Sequence, residues 1–129
     1  MKKVILIADD NNNIRMLLTE ILKYDYEIIV FNDGAGILNW LKTGNVPDMI
    51  ISDVMMPNLN GWDLVNNLKL SLFYKHIPIF VLSAIENSDE RIKFLEAGAD
   101  EYMMKPFNPQ ELKARINNIF KRYYYESIL

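Results

Sequence analysis

The stretch Val4-Ile5-Leu6-Ile7-Ala8-Asp9-Asp10 decides the fold. Continuously apolar and rich in β-branched residues, Val4 to Ala8 reads as a strand covered on both faces, and it ends abruptly on two carboxylates. Directly after it, Asn11-Asn12-Asn13 supplies an N-cap, and Ile14, Leu17, Leu18, Ile21 and Leu22 recur at helical spacing as one stripe. A buried strand passing at once into an amphipathic helix is half of a βαβ unit.

Outward from there the same alternation continues. Ile28-Ile29-Val30-Phe31 reads as a second strand closed by the turn Asn32-Asp33-Gly34, and Ile37, Leu38 and Leu41 mark a short helix. Met49-Ile50-Ile51 leads into Asp53 as the third strand; a loop with Pro57 and Gly61 precedes a helix carrying Leu64, Val65 and Leu68. Ile79-Phe80-Val81-Leu82 is the fourth strand, Ile92, Leu95 and Ala99 mark the fourth helix, and Glu101 to Met104 form a weaker fifth strand. The last helix starts near Pro109 and buries Leu112, Ile116 and Ile119. Strands that alternate with helices in this way predict an α/β fold, a five-stranded parallel sheet with helices on both faces and right-handed crossovers. In such a sheet chemistry belongs to the loops at the C-terminal ends of the strands.

Composition narrows the function. The 129 residues suit one globular domain over residues 1–129, and 50% hydrophobic with 24% charged residues is ordinary globular usage. A net charge of -3 argues against direct nucleic-acid binding. With no cysteine, disulfides, thiolate catalysis and cysteine-ligated metals are excluded. His76 is the single histidine, so multi-histidine metal sites are excluded, and no serine sits in a Gly-x-Ser-x-Gly elbow. Met1-Lys2-Lys3 is basic, but Asp9-Asp10 cuts the following apolar run before a signal-peptide core could form, and no run is long enough to span a membrane. The expectation is a cytoplasmic chain without a membrane role. Gly34-Ala35-Gly36 lacks a glycine at position 39 and reads as a turn, not a nucleotide loop.

The polar groups at the strand ends carry the chemistry. The first strand runs into Asp9 and Asp10, the third into Asp53, the fourth into Ser83 and the fifth into Lys105. If strands 1, 3, 4 and 5 are neighbours at ~4.8 Å spacing, these groups surround one shallow pocket. Three carboxylates so placed repel one another unless a cation neutralises them or their pKa values rise. All-oxygen donors in that number suit Mg²⁺ better than a calcium cage, and an EF-hand spacing is absent. A carboxylate can also attack phosphorus to give an acyl phosphate when a metal and a cation balance the charge, and Asp53, Mg²⁺ and Lys105 would supply those parts. Ser83 could donate its hydroxyl to a phosphoryl oxygen, with the small Ala84 leaving room beside it.

Taken together, Ala8-Asp9-Asp10, Asp53-Val54-Met55-Met56-Pro57 with Asn60-Gly61, Leu82-Ser83-Ala84, Ala97-Gly98-Ala99-Asp100 and Lys105-Pro106-Phe107 resemble the receiver domain of two-component response regulators, in the same order and spacing. The resemblance covers essentially the whole chain and implies the flavodoxin-like strand order 2-1-3-4-5. It makes Asp53 the phosphoacceptor. It makes Asp10, Asp53 and the Met55 carbonyl direct Mg²⁺ ligands, with Asp9 held partly through water. Ser83 takes the place of the switch hydroxyl, Lys105 of the phosphate-binding lysine and Tyr102 of the switch aromatic, and Lys105-Pro106 should be cis. Ser83 stands where threonine is more frequent, and Asn11 where an acidic or small residue is common.

The implied function is a phosphorelay switch, with slow self-dephosphorylation its only catalysis. Its donor would be a sensor histidine kinase or phosphotransfer protein. Its effector, a domain or a separate protein, would meet the face made by helix four, strand five and helix five, and the chain would be a monomer or a phosphorylation-dependent dimer. On phosphorylation Tyr102 is expected to turn from a solvent-facing to an inward rotamer. A phosphatase of the haloacid dehalogenase type shares the aspartate nucleophile but needs Asp-x-Asp, and Met55 stands two residues past Asp53. A flavodoxin-like cofactor binder needs a phosphate loop where Asp9-Asp10 stands, and a receiver reduced to protein binding would not need all the chemical positions filled. Tyr123-Tyr124-Tyr125 either covers the end of the last helix or marks a junction to a following domain.

Overall fold

The computed structural model describes residues 1–128. Ten elements alternate along the chain: β1 (Lys3–Ala8), α1 (Asn12–Leu22), β2 (Tyr26–Phe31), α2 (Gly34–Leu41), β3 (Met49–Asp53), α3 (Gly61–Lys69), β4 (Ile79–Ser83), α4 (Ser88–Glu96), β5 (Glu101–Met104) and α5 (Pro109–Ile128). The strands form one parallel sheet in the order β2-β1-β3-β4-β5.

Strand periodicity divides the apolar residues between two cores. Ile5, Ile7, Ile51, Phe80 and Leu82 face Leu18 and Leu22 of α1 and Leu112, Ile116 and Ile119 of α5. Leu6, Ala8, Ile50, Ile79 and Val81 face Ile37 and Leu41 of α2, Leu64, Val65 and Leu68 of α3, and Phe94 of α4. Because helices cover both faces, β3 and β4 are buried at every residue, which is why they read as unbroken apolar runs.

The helix termini are set by local chemistry. The Asn11 side chain accepts from the amides of Asn13 and Ile14, and Asn60 accepts from that of Asp63. Asn108 accepts from the Gln110 and Glu111 amides ahead of Pro109. Each satisfies N–H groups that the first helical turn leaves without partners.

Two helices differ from the expected stripes. In α1, Leu17 is exposed while Leu18 and Leu22 are buried, because residues spaced by four face the sheet and Leu17 falls outside that face. In α4, Ile92 and Leu95 are exposed and only Phe94 is buried. Ala99 lies past the end of that nine-residue helix, after Gly98, whose φ of 110° belongs to the left-handed region and stops the helix. Asp100 then ties β4 and α5 together: it accepts from the Ile79 amide at 2.9 Å and from the Tyr123 hydroxyl at 2.8 Å. Tyr123 is thereby held against the fold, whereas Tyr124 and Tyr125 are exposed.

The start of α3 comes close to the end of β3. Gly61 donates its amide to the Val54 carbonyl at 2.9 Å, and a Cβ at this position would stand 2.3 Å from the Asp53 carbonyl oxygen. Gly61→Ala should therefore destabilise the protein by about 2 kcal/mol or more through overpacking. Urea unfolding checks this; a midpoint within error of the parent's would show that the contact between α3 and β3 yields freely.

Candidate functional site

Parallel register sets the polar groups side by side. Ala8 pairs with Ser52 and Asp53 with Leu82, so the residues just past β1, β3 and β4 meet at one end of the sheet. Ser83 pairs with Met104, and Lys105 follows directly, its amide held at 2.7 Å by the Ser83 carbonyl. The Lys105–Pro106 peptide is cis.

Asp9, Asp10, Asn11, Asp53, Val54, Met55, Ser83, Ala84, Ile85, Glu90 and Lys105 line a cavity of about 290 Å³. A larger depression of about 750 Å³ between Lys3, Asp25, Tyr26, Lys113 and Phe120 gathers no comparable set of carboxylates. Asp9, Asp10 and Asp53 each offer a carboxylate oxygen, and these oxygens lie within 4.8 Å of one another. Lys105 Nζ donates to Asp9 Oδ2 at 2.8 Å and lies 3.2 Å from Asp53 Oδ1. Asp9 Oδ1 also accepts the Asn11 amide at 2.9 Å, while Asp53 Oδ1 accepts the Val54 amide at 2.8 Å. Both donors to Asp53 thus meet the same oxygen. Asp10 is exposed at the rim, and Met55, whose side chain is exposed, also lines the cavity.

Electrostatics follow from this crowding. Asp53, 8% exposed, has its pKa pushed up by burial and then by the charge of Asp9, against the pull of Lys105. For Lys105 burial works downward, but its hydrogen bond to Asp9 and the charges of Asp53 and Asp9 outweigh it, so its pKa is raised and it stays an ammonium. One lysine cannot neutralise three carboxylates. The all-oxygen donor set with uncompensated negative charge fits a hard divalent cation such as Mg²⁺.

Ser83 and Tyr102 also come together, in a way the sequence reading did not anticipate. The Ser83 hydroxyl donates to Glu90 Oε2 at 2.9 Å and accepts the Ile85 amide at 3.2 Å. The Tyr102 hydroxyl donates to the same Glu90 oxygen. Tyr102 is only 7% exposed, so the expectation of a solvent-facing ring in the unmodified chain is wrong. Packing against Phe94, at 6.0 Å between ring centroids, and the Glu90 carboxylate hold it inward. Burial, reinforced by that carboxylate, raises the phenol pKa to about 12. Glu90 itself was missed because Asn87-Ser88-Asp89-Glu90 reads as an ordinary capping box at the start of α4.

A carboxyl whose pKa is raised by folding costs stability where it is ionised, and that cost disappears as pH falls through its own range. Asp53→Asn should accordingly raise the melting temperature of the metal-free protein by a few degrees at neutral pH, with the gain fading in acid. Calorimetric melts at both pH values check this, and a lower melting temperature at neutral pH would contradict it.

Comparison with known proteins agrees with this geometry. The chain is 38% identical over 120 residues, 93% of its length, to histidine kinase P4 of Formosa agariphila, of which it spans 9%. It is 38% identical over 122 residues, 94% of its length, to the regulator ycf27 of Cyanophora paradoxa, of which it spans 49%. The chain therefore spans about half or less of these curated relatives. The solved receiver domain of Francisella response regulator 1452 superposes with a TM-score of 0.84 at 32% identity, covering 95% of this chain and 99% of that one. No helix among the described residues is long and apolar enough to cross a membrane. The profile of the response regulator receiver domain matches residues 5–117, and on that match, carried by the same fold, the chain belongs to the receiver domains of two-component systems, signalling switches rather than classical enzymes.

Proposed function

We propose that Asp53 accepts a phosphoryl group from a phosphohistidine on a sensor histidine kinase or phosphotransfer protein. The observation that carries this reading is Lys105 bridging Asp9 and Asp53 inside a cluster of three carboxylates. An Asp53 carboxylate oxygen attacks phosphorus, the new O–P bond forms as the N–P bond of the donor breaks, and the bonding pair leaves with the imidazole. Asp10, Asp53 and the Met55 carbonyl, with Asp9 partly through water, would hold Mg²⁺, which supplies charge neutralisation for the transferring group.

The protein's own groups do the rest. Lys105 keeps its charge and can exchange part of its contact with Asp9 for a phosphoryl oxygen. Ser83 offers a hydroxyl from the neighbouring strand β4. Hydrolysis of the acyl phosphate by water would return the domain slowly to its resting state, the only turnover we assign to it. A domain built this way works in the cytoplasm as a single receiver over residues 1–129, without nucleic-acid or membrane contacts of its own. Its effector, a linked domain or a separate protein, reads the α4, β5 and α5 face, and the chain is a monomer or dimerises on phosphorylation.

A small acyl phosphate with Mg²⁺ should add one phosphoryl group, seen in the intact mass and placed on Asp53 by peptide mapping. Asp53→Asn should abolish the adduct, and Lys105→Ala should slow its formation by roughly a hundredfold, the scale of losing one charge-stabilising donor. Equal labelling of the Asp53→Asn variant would overturn the assignment. In a calorimetric titration Asp10→Ala should lose Mg²⁺ binding, and binding as tight as the parent's would place the metal elsewhere.

A further inference from the structure

Glu90 stands three residues past the N-cap Asn87 of α4, where a glutamate ordinarily reaches back to the cap. Its carboxylate reaches the sheet instead. The one proton of the Ser83 hydroxyl has two possible acceptors: Glu90 Oε2 at 2.9 Å, and the uncharged Ile85 carbonyl at 3.3 Å. The shorter, charge-assisted bond takes it. Ser83 is buried, and the same Glu90 oxygen also holds the Tyr102 hydroxyl.

Building on the reading of Asp53 as phosphoacceptor, we propose that Glu90 is a positioning residue that withholds the Ser83 hydroxyl from Asp53 and couples it, through one shared carboxylate oxygen, to Tyr102. A phosphoryl oxygen on Asp53 needs the same proton that Glu90 accepts. When Ser83 turns toward it, one hydrogen bond to Oε2 breaks and one to the phosphoryl oxygen forms, and no proton changes owner. Glu90 then keeps Tyr102 as its hydroxyl partner, so the charge distribution at the start of α4 changes with the state of Asp53. The exchange also sets a threshold: the pocket gains the Ser83 bond only at the expense of the Glu90 bond. By linkage, weakening Glu90 as an acceptor raises the affinity of the pocket for a phosphoryl group.

The aromatic contacts provide a reporter. Trp62 meets Phe94 edge-on at 5.3 Å, and Phe94 lies against Tyr102. In a Trp40→Phe background, Trp62 fluorescence and the NMR signals of Tyr102 can follow a titration with beryllofluoride, a non-covalent phosphoryl mimic, in the presence of Mg²⁺. Glu90→Ala should bind beryllofluoride roughly tenfold more tightly than the parent, the scale of one charge-assisted hydrogen bond. Glu90→Gln, which keeps the size and an uncharged acceptor, should fall between the two. In a Ser83→Ala background neither Glu90 substitution should change the affinity, an outcome that a merely structural role for Glu90 does not produce. Unchanged affinity in both Glu90 variants, or the same gain without the Ser83 hydroxyl, overturns the proposal. Absence of beryllofluoride binding by the parent, together with no acyl-phosphate labelling of Asp53, defeats the phosphoacceptor reading and the proposal with it.

Discussion

Like-charge repulsion at one end of the sheet is the constraint on which the rest of the structure turns. Asp9, Asp10 and Asp53 bring carboxylate oxygens within 4.8 Å of one another, and Lys105 is the one ammonium bound among them. In water the repulsion would be weak, but Asp9 and Asp53 are buried, where the lower dielectric strengthens it. The fold tolerates this arrangement because two apolar cores, one on each face of the sheet, hold the strands whose ends carry these groups. Lys105 links β5 to β1 and β3 across the intervening β4, so its ion pairs tie the ends of three strands around the cavity.

The groups beyond the charge cluster connect it to the surface. Ser83 lies between the carboxylates and Glu90, and Glu90 joins Ser83 to Tyr102. Tyr102 packs on Phe94, Phe94 on Trp62, and Lys93 sits 4.1 Å above the Trp62 ring. From Ser83, which shares the cavity with Asp53, hydrogen bonds and ring contacts lead on into α4 and α3. Such a route transmits a signal only if its members have two arrangements, and the single proton of Ser83, contested by two acceptors, is where the structure offers a choice.

The sheet and the charge cluster were legible in the sequence because both depend on strong local signals. Val4 to Ala8, Met49 to Ile51 and Ile79 to Leu82 read as buried strands, and each is followed by a polar residue. Strand order came from the resemblance, since periodicity says nothing about which strands are neighbours. Helix faces were less legible. Leu17, Ile92 and Leu95 follow helical spacing yet are exposed, because α1 turns a narrow face to the sheet and α4 meets it through Phe94 and the Glu90 carboxylate. The orientation of Tyr102 was misread because it depends on a partner, Glu90, that is distant in sequence and locally indistinguishable from a capping residue.

The account stands or falls on the state of the Asp53 carboxyl. Its pKa, followed by carboxyl-carbon NMR in the assigned protein with and without Mg²⁺, tests the claim that burial and Asp9 together outweigh Lys105 and leave charge for a cation to neutralise. The account predicts a value above the ordinary carboxylate range without metal and a clear fall when Mg²⁺ is added. An ordinary value that Mg²⁺ leaves unchanged would contradict it.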